Sequence, residues 1–65
     1  MSEKTEQKRQ LILDSARSVF AAKGYRAVTM KDIVEASQIS RGGLYLYFSS
    51  VEEVFLAVLE MDEKK

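Results

Sequence analysis

Four helix-boundary signals divide this 65-residue chain into short segments. Gly24 is typical of the position just beyond the end of a helix, where glycine adopts the required conformation without steric cost. Thr29, Ser40 and Ser50 each carry a hydroxyl that can accept a backbone N–H at the start of a helix. Acidic residues three positions after Thr29 and Ser50 complete capping-box patterns. The signals predict helices over about residues 6–23, 30–37, 41–47 and 51–62.

Apolar residues at helical spacing give each predicted helix one face for a shared core. The expected inward residues are Ile12, Leu13, Ala16, Val19 and Phe20 in the first helix, Met30, Ile33, Val34 and Ala36 in the second, Leu44 and Phe48 in the third, and Val51, Val54, Phe55, Val58 and Leu59 in the fourth. The second helix is too short to be stable alone, so it must pack against its neighbours. We therefore expect an all-α fold.

The chain contains neither cysteine nor histidine. Disulfides are thereby excluded, and the commonest acid–base and thiol nucleophile side chains are missing. A zinc site would lack its usual ligands. The acidic residues fall mostly at helix starts or on exposed faces, where they have structural roles. The composition therefore predicts no enzyme activity, no catalytic residue, no metal site and no cofactor.

Charge is unevenly distributed along a chain whose net charge is zero. Residues 1–48 hold eight basic and five acidic side chains, whereas residues 49–65 hold two basic and five acidic ones. A mildly positive segment can lie against phosphate, although many charged surfaces vary by this much. No apolar run approaches the roughly 18 residues of a membrane span, and the N-terminus is polar, so we expect a cytoplasmic protein without a membrane partner.

Two short helices joined by a tight connection across residues 37–40, after a longer first helix, match the helix-turn-helix arrangement. In DNA-binding proteins of this kind the second short helix enters the major groove, with its N-terminal residues toward the bases. The expected fold is a small three-helix, homeodomain-like helix-turn-helix bundle plus the start of a fourth helix. The pattern favours DNA binding.

The stretch SRGGLYLYF, residues 40–48, carries the residue types that a DNA-reading helix needs. Gly42 and Gly43 each cost a helix interior roughly 1 kcal/mol relative to alanine, so we expect them to provide clearance for a close approach to DNA. On this hypothesis Gly43→Leu leaves the fold largely intact and weakens DNA binding. The expected donors to phosphates and base edges are Ser40, Arg41, Tyr45 and Tyr47. Arg41, Gly43, Tyr45 and Tyr47 should point outward, and Tyr45 can also lie at the boundary of the core.

Each of these residues also has a structural explanation when it is taken alone. Thr29 and Ser40 can be helix caps, and Arg41 can be a solvated charge. The tyrosines can pack on neighbours with their hydroxyls in water. The two glycines can mark a loop, in which case the third helix starts later. Only the spacing of the whole set favours DNA.

From about Arg9 to Leu59 the sequence resembles the N-terminal DNA-binding domain of the tetracycline-repressor (TetR) family. The matching stretches are ILDSARSVFAAKGYRAVTMKDIVEAS, ISRGGLYLYF and SSVEEVF, in unbroken order. The resemblance implies that Thr29 touches the DNA backbone beside the groove. It also implies that the leading edge of the recognition helix is Ser40, Arg41, Gly42 and Gly43, and that Tyr45 and Tyr47 contact phosphates or base edges.

Four positions depart from the family pattern. Tyr47 stands where the family often has histidine, and its phenol can still donate a hydrogen bond. Leu46 stands where tyrosine is frequent; its side chain can touch a thymine methyl group or add no specificity. Val51 replaces a frequent phosphate-binding lysine, which would lower the log–log salt slope by roughly 0.9. Gln38 replaces a frequent glycine, so the resemblance does not fix the geometry of the turn.

The resemblance further implies a bacterial transcriptional regulator, most often a repressor, bound to a palindromic operator in double-stranded DNA. Family members usually continue into a helical C-terminal domain that binds an inducer and forms the homodimer. We expect residues 1–65 to be a single DNA-binding domain without that ligand and dimerisation domain. This chain would then be monomeric or weakly associating and would lack the inducer site. It is either a fragment, the simpler explanation, or a natural short protein.

A second class of function stays open at this point. The fourth helix is acidic and carries apolar residues on more than one face, with Leu56 and Met61 partly off its main stripe. The alternative is a small helical interaction module that binds another protein through this apolar face.

Overall fold

The computed structural model describes residues 3–63, with side chains described from residue 6 to residue 63. The elements are α1 (Glu3–Lys23), a 3-10 turn (Tyr25–Ala27), α2 (Met30–Ser37), α3 (Arg41–Tyr47) and α4 (Val51–Glu63). Within this part of the chain there is no strand, so the predicted all-α class is confirmed. The domain predicted over residues 1–65 also includes residues 1–2 and 64–65, which lie outside the described part. No single helix of residues 3–63 is long and apolar enough to cross a membrane, and α3 and α4 pass that test only as a pair bent by 60°.

One apolar cluster holds the four helices together. Its buried members are Ile12, Leu13, Ala16, Val28, Ile33, Leu44, Phe48, Val54, Ala57 and Val58. The long helix α1 packs against both α2 and α4, and α2 packs against α3. Burying one large aliphatic side chain contributes about 1.5–3 kcal/mol. The core therefore fixes the orientation of the short helix α3, which could not be stable alone.

The end of α1 is set by Gly24, whose φ of 84° favours glycine. Its N–H donates to the carbonyl of Phe20 at 2.8 Å. In the 3-10 turn that follows, the ring of Tyr25 lies 6.0 Å from the ring of Phe20 and 4.5 Å from that of Phe55, centroid to centroid. This aromatic cluster joins the end of α1 to α4.

Hydroxyl residues begin α2, α3 and α4 as predicted, with one difference at α4. Thr29 Oγ1 accepts the N–H of Asp32 at 3.2 Å, and the carboxylate of Asp32 accepts the N–H of Thr29 at 3.0 Å. At α4 the N–H of Glu53 donates to Ser50 Oγ at 3.3 Å, but Glu53 Oε1 accepts the N–H of Ser49 at 2.7 Å. Glutamate has the longer side chain, so it reaches the residue before the one expected.

Two of the expected inward positions are wrong. Ala36 is exposed, and its neighbour Ser37 is buried instead. Leu59 is 43% exposed, whereas Ala57 is buried. The buried stripe of α4 is Val54, Ala57 and Val58. Both the expected and the observed stripes have a helical period, so periodicity alone cannot choose between them. The small side chain of Ala57 lets α4 approach its neighbour, which a search for large apolar residues overlooks.

Candidate nucleic-acid interface

Ser37 and Gln38 close the turn between α2 and α3. Gln38 has φ 62° and ψ 22°, the left-handed conformation that glycine adopts most easily, and its N–H donates to the carbonyl of Val34 at 2.9 Å. The hydroxyl of Ser37 donates to the same carbonyl at 3.4 Å and accepts the N–H of Ile39 at 3.3 Å. The turn thus requires a positive φ at Gln38, which explains why glycine is suited to this position.

The caps of α2 and α3 leave a hydrogen-bond donor on each hydroxyl. Ser40 Oγ accepts the N–H of Gly43 at 3.1 Å, and Thr29 Oγ1 accepts an N–H in the same way at α2. A hydroxyl has one donor and two acceptor sites, so its proton remains available to a phosphate oxygen. Ser40 and Thr29 are both exposed. Capping and DNA contact, which are alternatives in the sequence, are therefore compatible.

Helix α3 has a buried face and an outward face. Leu44 is fully buried, and Phe48, which follows the last turn, is 6% exposed. With 3.6 residues per turn, Gly42 and Leu46 lie on the side opposite Leu44 and Phe48, one turn apart from each other. Leu46 is 85% exposed, the largest exposed fraction among the large apolar side chains that the structure describes. Core packing does not explain an apolar residue at this position.

The adjacent glycines of α3 have different surroundings. Apart from its chain neighbours and the backbone of its own helix, a Cβ at Gly42 would meet no atom within 4 Å. A Cβ at Gly43 would lie 3.0 Å from Ile39 Cγ2 and 3.1 Å from Ser40 Oγ, closer than ordinary van der Waals contact. These contacts argue against the expectation that Gly43→Leu leaves the fold intact, because Ile39 or Ser40 must shift by a few tenths of an ångström to admit a Cβ. Of the two, Gly42 has the open surroundings that the clearance hypothesis requires.

The two tyrosines of α3 differ in how far they are exposed. Tyr45 is 46% exposed, whereas Tyr47 is half-buried and packs against the core. The expectation of an outward side chain is met by Tyr45 and only partly by Tyr47, because Tyr47 packs against the core cluster. The ring of Tyr47 is therefore partly packed against the protein, whereas the side chain of Tyr45 is more exposed to solvent.

An ion pair links the end of α1 to the start of α2. Lys23 Nζ lies 2.9 Å from Asp32 Oδ2, the oxygen that also accepts the N–H of Thr29. The hydrogen bond from Lys23, and then the one from Thr29, hold the pKa of Asp32 below its ordinary value of 3.8. Sequence reasoning missed Lys23, because the pair is separated by nine positions and only the intervening 3-10 turn brings the two side chains together.

Three of the four arginines among the described residues bear on the site, and they have different surroundings. Arg17 pairs with Asp62 at 3.2 Å between α1 and α4. The guanidinium of Arg9 lies 5.6 Å from the centroid of the Phe48 ring. Arg41, the first residue of α3, is exposed and makes no ion pair within residues 6–63. Its charge is therefore available to an external anion.

The structure places seven of the eight predicted site residues in one segment. These are Ser40, Arg41, Gly42, Gly43, Tyr45, Leu46 and Tyr47, which form α3 and its cap. The eighth, Thr29, caps the helix that packs against α3. Gly43 and Tyr47 turn partly toward the protein, so the outward face consists chiefly of Gly42, Tyr45 and Leu46, with Arg41 at its start.

Residues 12–58 match the sequence profile of the family described as bacterial regulatory proteins, tetR family. The chain is 57% identical over 49 residues to the uncharacterized HTH-type transcriptional regulator YfiR of Bacillus subtilis, an alignment that covers 75% of this chain and 24% of YfiR. It is 41% identical over 54 residues to the HTH-type transcriptional regulator QacR of Staphylococcus aureus, covering 83% of this chain and 29% of QacR. The HTH-type transcriptional repressor AcnR of Corynebacterium efficiens gives the same identity and the same coverage.

The chain thus spans about a quarter of the length of these relatives, and the matched part contains all of α2 and α3. The relatives are named as transcriptional regulators, which does not favour the alternative of a protein-interaction module. The profile match covers more than half of the 65 residues. The chain belongs to the TetR family of bacterial regulatory proteins.

Proposed function

We propose that this chain is the DNA-binding part of a transcriptional regulator, in the manner of a repressor, and that α3 enters the major groove of double-stranded DNA. The outward face of α3 carries the proposal. Gly42 is open, Leu46 is 85% exposed, and Arg41 stands exposed at the start of the helix. None of these features serves the core. The names of the relatives, two transcriptional regulators and one transcriptional repressor, support the same role.

The contacts divide into those that position the domain and those that read sequence. The hydroxyls of Thr29 and Ser40 donate to phosphate oxygens, since their oxygens already accept backbone N–H groups within the protein. Arg41 reaches a base edge or a phosphate, and Tyr45 and Tyr47 donate through their phenols. These roles need no catalytic step, metal ion or cofactor.

The operator is palindromic, and one copy of residues 1–65, acting as a single domain, binds each half-site. The full-length protein is a homodimer, because two linked copies bind two half-sites far more tightly than one copy binds one. As the family resemblance implies, the inducer site and the main dimer surface belong to a C-terminal domain outside the matched residues 12–58. Alone, the chain is monomeric or weakly associating and binds DNA weakly. The site of action is the cytoplasm.

The proposal is tested by the effect of Arg41→Ala on DNA binding. A duplex is selected from a random-sequence pool at low salt, and its affinity is measured by fluorescence anisotropy. A bidentate contact to guanine predicts a loss of about 1–3 kcal/mol with relaxed sequence preference. A contact to phosphate predicts instead a uniform loss and a log–log salt slope lower by roughly 0.9.

Arg17→Ala is the matched control, since it removes the same charge from another exposed arginine. Arg17 lies on α1 and pairs with Asp62, and an exposed ion pair of this kind contributes only about 0–1 kcal/mol to stability. Its affinity for the selected duplex should stay within about twofold of the unsubstituted chain. Equal losses in the two variants, or no binding to any duplex at low salt, would contradict the proposal.

A further inference from the structure

Gly42 and Leu46 form a small apolar patch in the middle of the outward face of α3, here called the methyl-binding patch. The two residues are four positions apart, so they are neighbours on the helix surface. Leu46 is 85% exposed and does not pack against the core cluster. Gly42 has no side chain, and the space a Cβ would occupy is empty to 4 Å.

The geometry of an α-helix places the side chain of Leu46 beside that empty space. The Cα–Cβ bonds of a helix tilt toward its N-terminus, so a side chain covers the turn that precedes it. The turn before Leu46 is the one that contains Gly42. The open space over the backbone of Gly42, here called the hollow, therefore lies beside the isobutyl group of Leu46.

The chemistry of this patch limits what it can recognise in DNA. Leu46 has no donor or acceptor, so it cannot bind a phosphate or pair with a polar base edge. The C5-methyl group of thymine is the apolar feature of the major-groove edges. A cytosine methylated at C5 presents the same group at the same place.

We propose that the methyl-binding patch reads the C5-methyl group of a pyrimidine, an inference that rests on the proposed placement of α3 in the major groove. The methyl group enters the hollow over Gly42 and packs against Leu46. Burying one methyl group in this way strengthens binding by about fourfold. The patch thus makes Leu46 a specificity-determining residue, and Gly42 provides the room.

The test removes the methyl group and nothing else. In the duplex selected from random sequence, each thymine is replaced in turn by uracil, which leaves base pairing and polar edges unchanged. In a second set of duplexes, each cytosine is replaced in turn by 5-methylcytosine. At one position in each half-site we expect uracil to weaken binding by about fourfold if the methyl group comes from thymine. A gain of the same size on 5-methylcytosine assigns the source to methylated cytosine.

Variants of the chain connect this effect to the patch. Leu46→Ala removes most of the isobutyl group and Gly42→Ala fills the hollow, so both should reduce the methyl-dependent ratio of affinities from about fourfold toward one. Leu56→Ala is the matched control, because Leu56 is an exposed leucine (55%) on α4. This control should keep the full ratio.

The outcomes separate this inference from the proposed function. If the unsubstituted chain binds the selected duplex and is sensitive to Arg41→Ala, but neither methyl substitution changes its affinity, the patch does not read a methyl group. The inference is equally overturned if Leu46→Ala keeps the fourfold ratio. Absence of DNA binding, or insensitivity to Arg41→Ala, overturns the proposed function and the inference with it.

Discussion

The turn that leads into α3 and the outward face of α3 are made from neighbouring residues with opposite surroundings. In the turn, Gln38 adopts a left-handed conformation, and Gly43 leaves room for the side chains of Ile39 and Ser40. On the outward face Gly42 touches nothing and Leu46 is almost fully exposed. The residues of the turn are needed for the fold, whereas the residues of the outward face do not contribute to core packing. Substitutions should therefore separate stability from DNA binding.

The largest contrast is between the two leucines of α3. Leu44→Ala removes a fully buried side chain and should lower the free energy of unfolding by about 2–5 kcal/mol. Leu46→Ala should change it by no more than about 0.5 kcal/mol, because the side chain is exposed. Urea denaturation followed by circular dichroism measures both. Similar losses in the two variants would show that the outward face contributes to the fold.

The two glycines should respond to substitution with opposite signs. Gly43→Leu forces a side chain against Ile39 and Ser40 and should destabilise the fold by about 1–3 kcal/mol. Gly42→Ala meets open space and should stabilise the helix by about 0.5–1 kcal/mol. The urea midpoints of the two variants should move in opposite directions. A stabilising Gly43→Leu would restore the interpretation of both glycines as clearance for DNA.

A smaller effect is expected where the turn strains a residue that is not glycine. Gln38→Gly relieves a left-handed strain of about 1–2 kcal/mol. It also adds conformational freedom to the unfolded chain, which costs about 0.4–1 kcal/mol, so stability should rise by roughly 0.5–1 kcal/mol. Gln7→Gly, within α1, should instead lower the free energy of unfolding by about 1 kcal/mol. Thermal unfolding of both variants checks the signs. A lower stability of Gln38→Gly would show that the side chain of Gln38 stabilises the fold by more than its backbone strain destabilises it.

The smallest effect concerns the ion pair that supports Thr29. The pKa of Asp32 is lowered in the folded chain, chiefly by the hydrogen bond from Lys23 and then by the one from Thr29. Its stabilising contribution is therefore present above the unfolded pKa of 3.8 and is lost as pH falls through the lowered folded value. The stability difference between the unsubstituted chain and Asp32→Asn should shrink as pH is lowered below 3.8. A difference that stays constant in urea denaturation from pH 7 to pH 2 would exclude the charge of Asp32 as its source.

Local signals predicted the helices well, because caps depend on residues close together in sequence. The hydroxyls of Thr29, Ser40 and Ser50 accept the N–H groups that their spacing indicated. The rotation of α4 was not predictable, since two stripes of equal period compete and Leu59 was expected where Ala57 is buried. Which helix faces a neighbour depends on the packing of the whole bundle.

The residues of the candidate site came from spacing and from the family resemblance, but their different surroundings required the structure. The sequence pattern does not distinguish Gly42 from Gly43, because the close contacts of Gly43 with Ile39 and Ser40 depend on the conformation of the turn. The burial of Tyr47 and the pairing of Lys23 with Asp32 likewise depend on how elements pack. The DNA contacts of all eight residues stay predictions.

The most direct test of the outward face is the DNA affinity of Gly42→Leu, measured on the selected duplex beside the free energy of unfolding. A leucine at this position meets no protein atom near its Cβ, so the variant should be at least as stable as the unsubstituted chain. The added side chain should keep the backbone of α3 away from the base edges and weaken binding by at least about tenfold. A variant that folds normally and binds the duplex with unchanged affinity would contradict the claim that this face enters the groove.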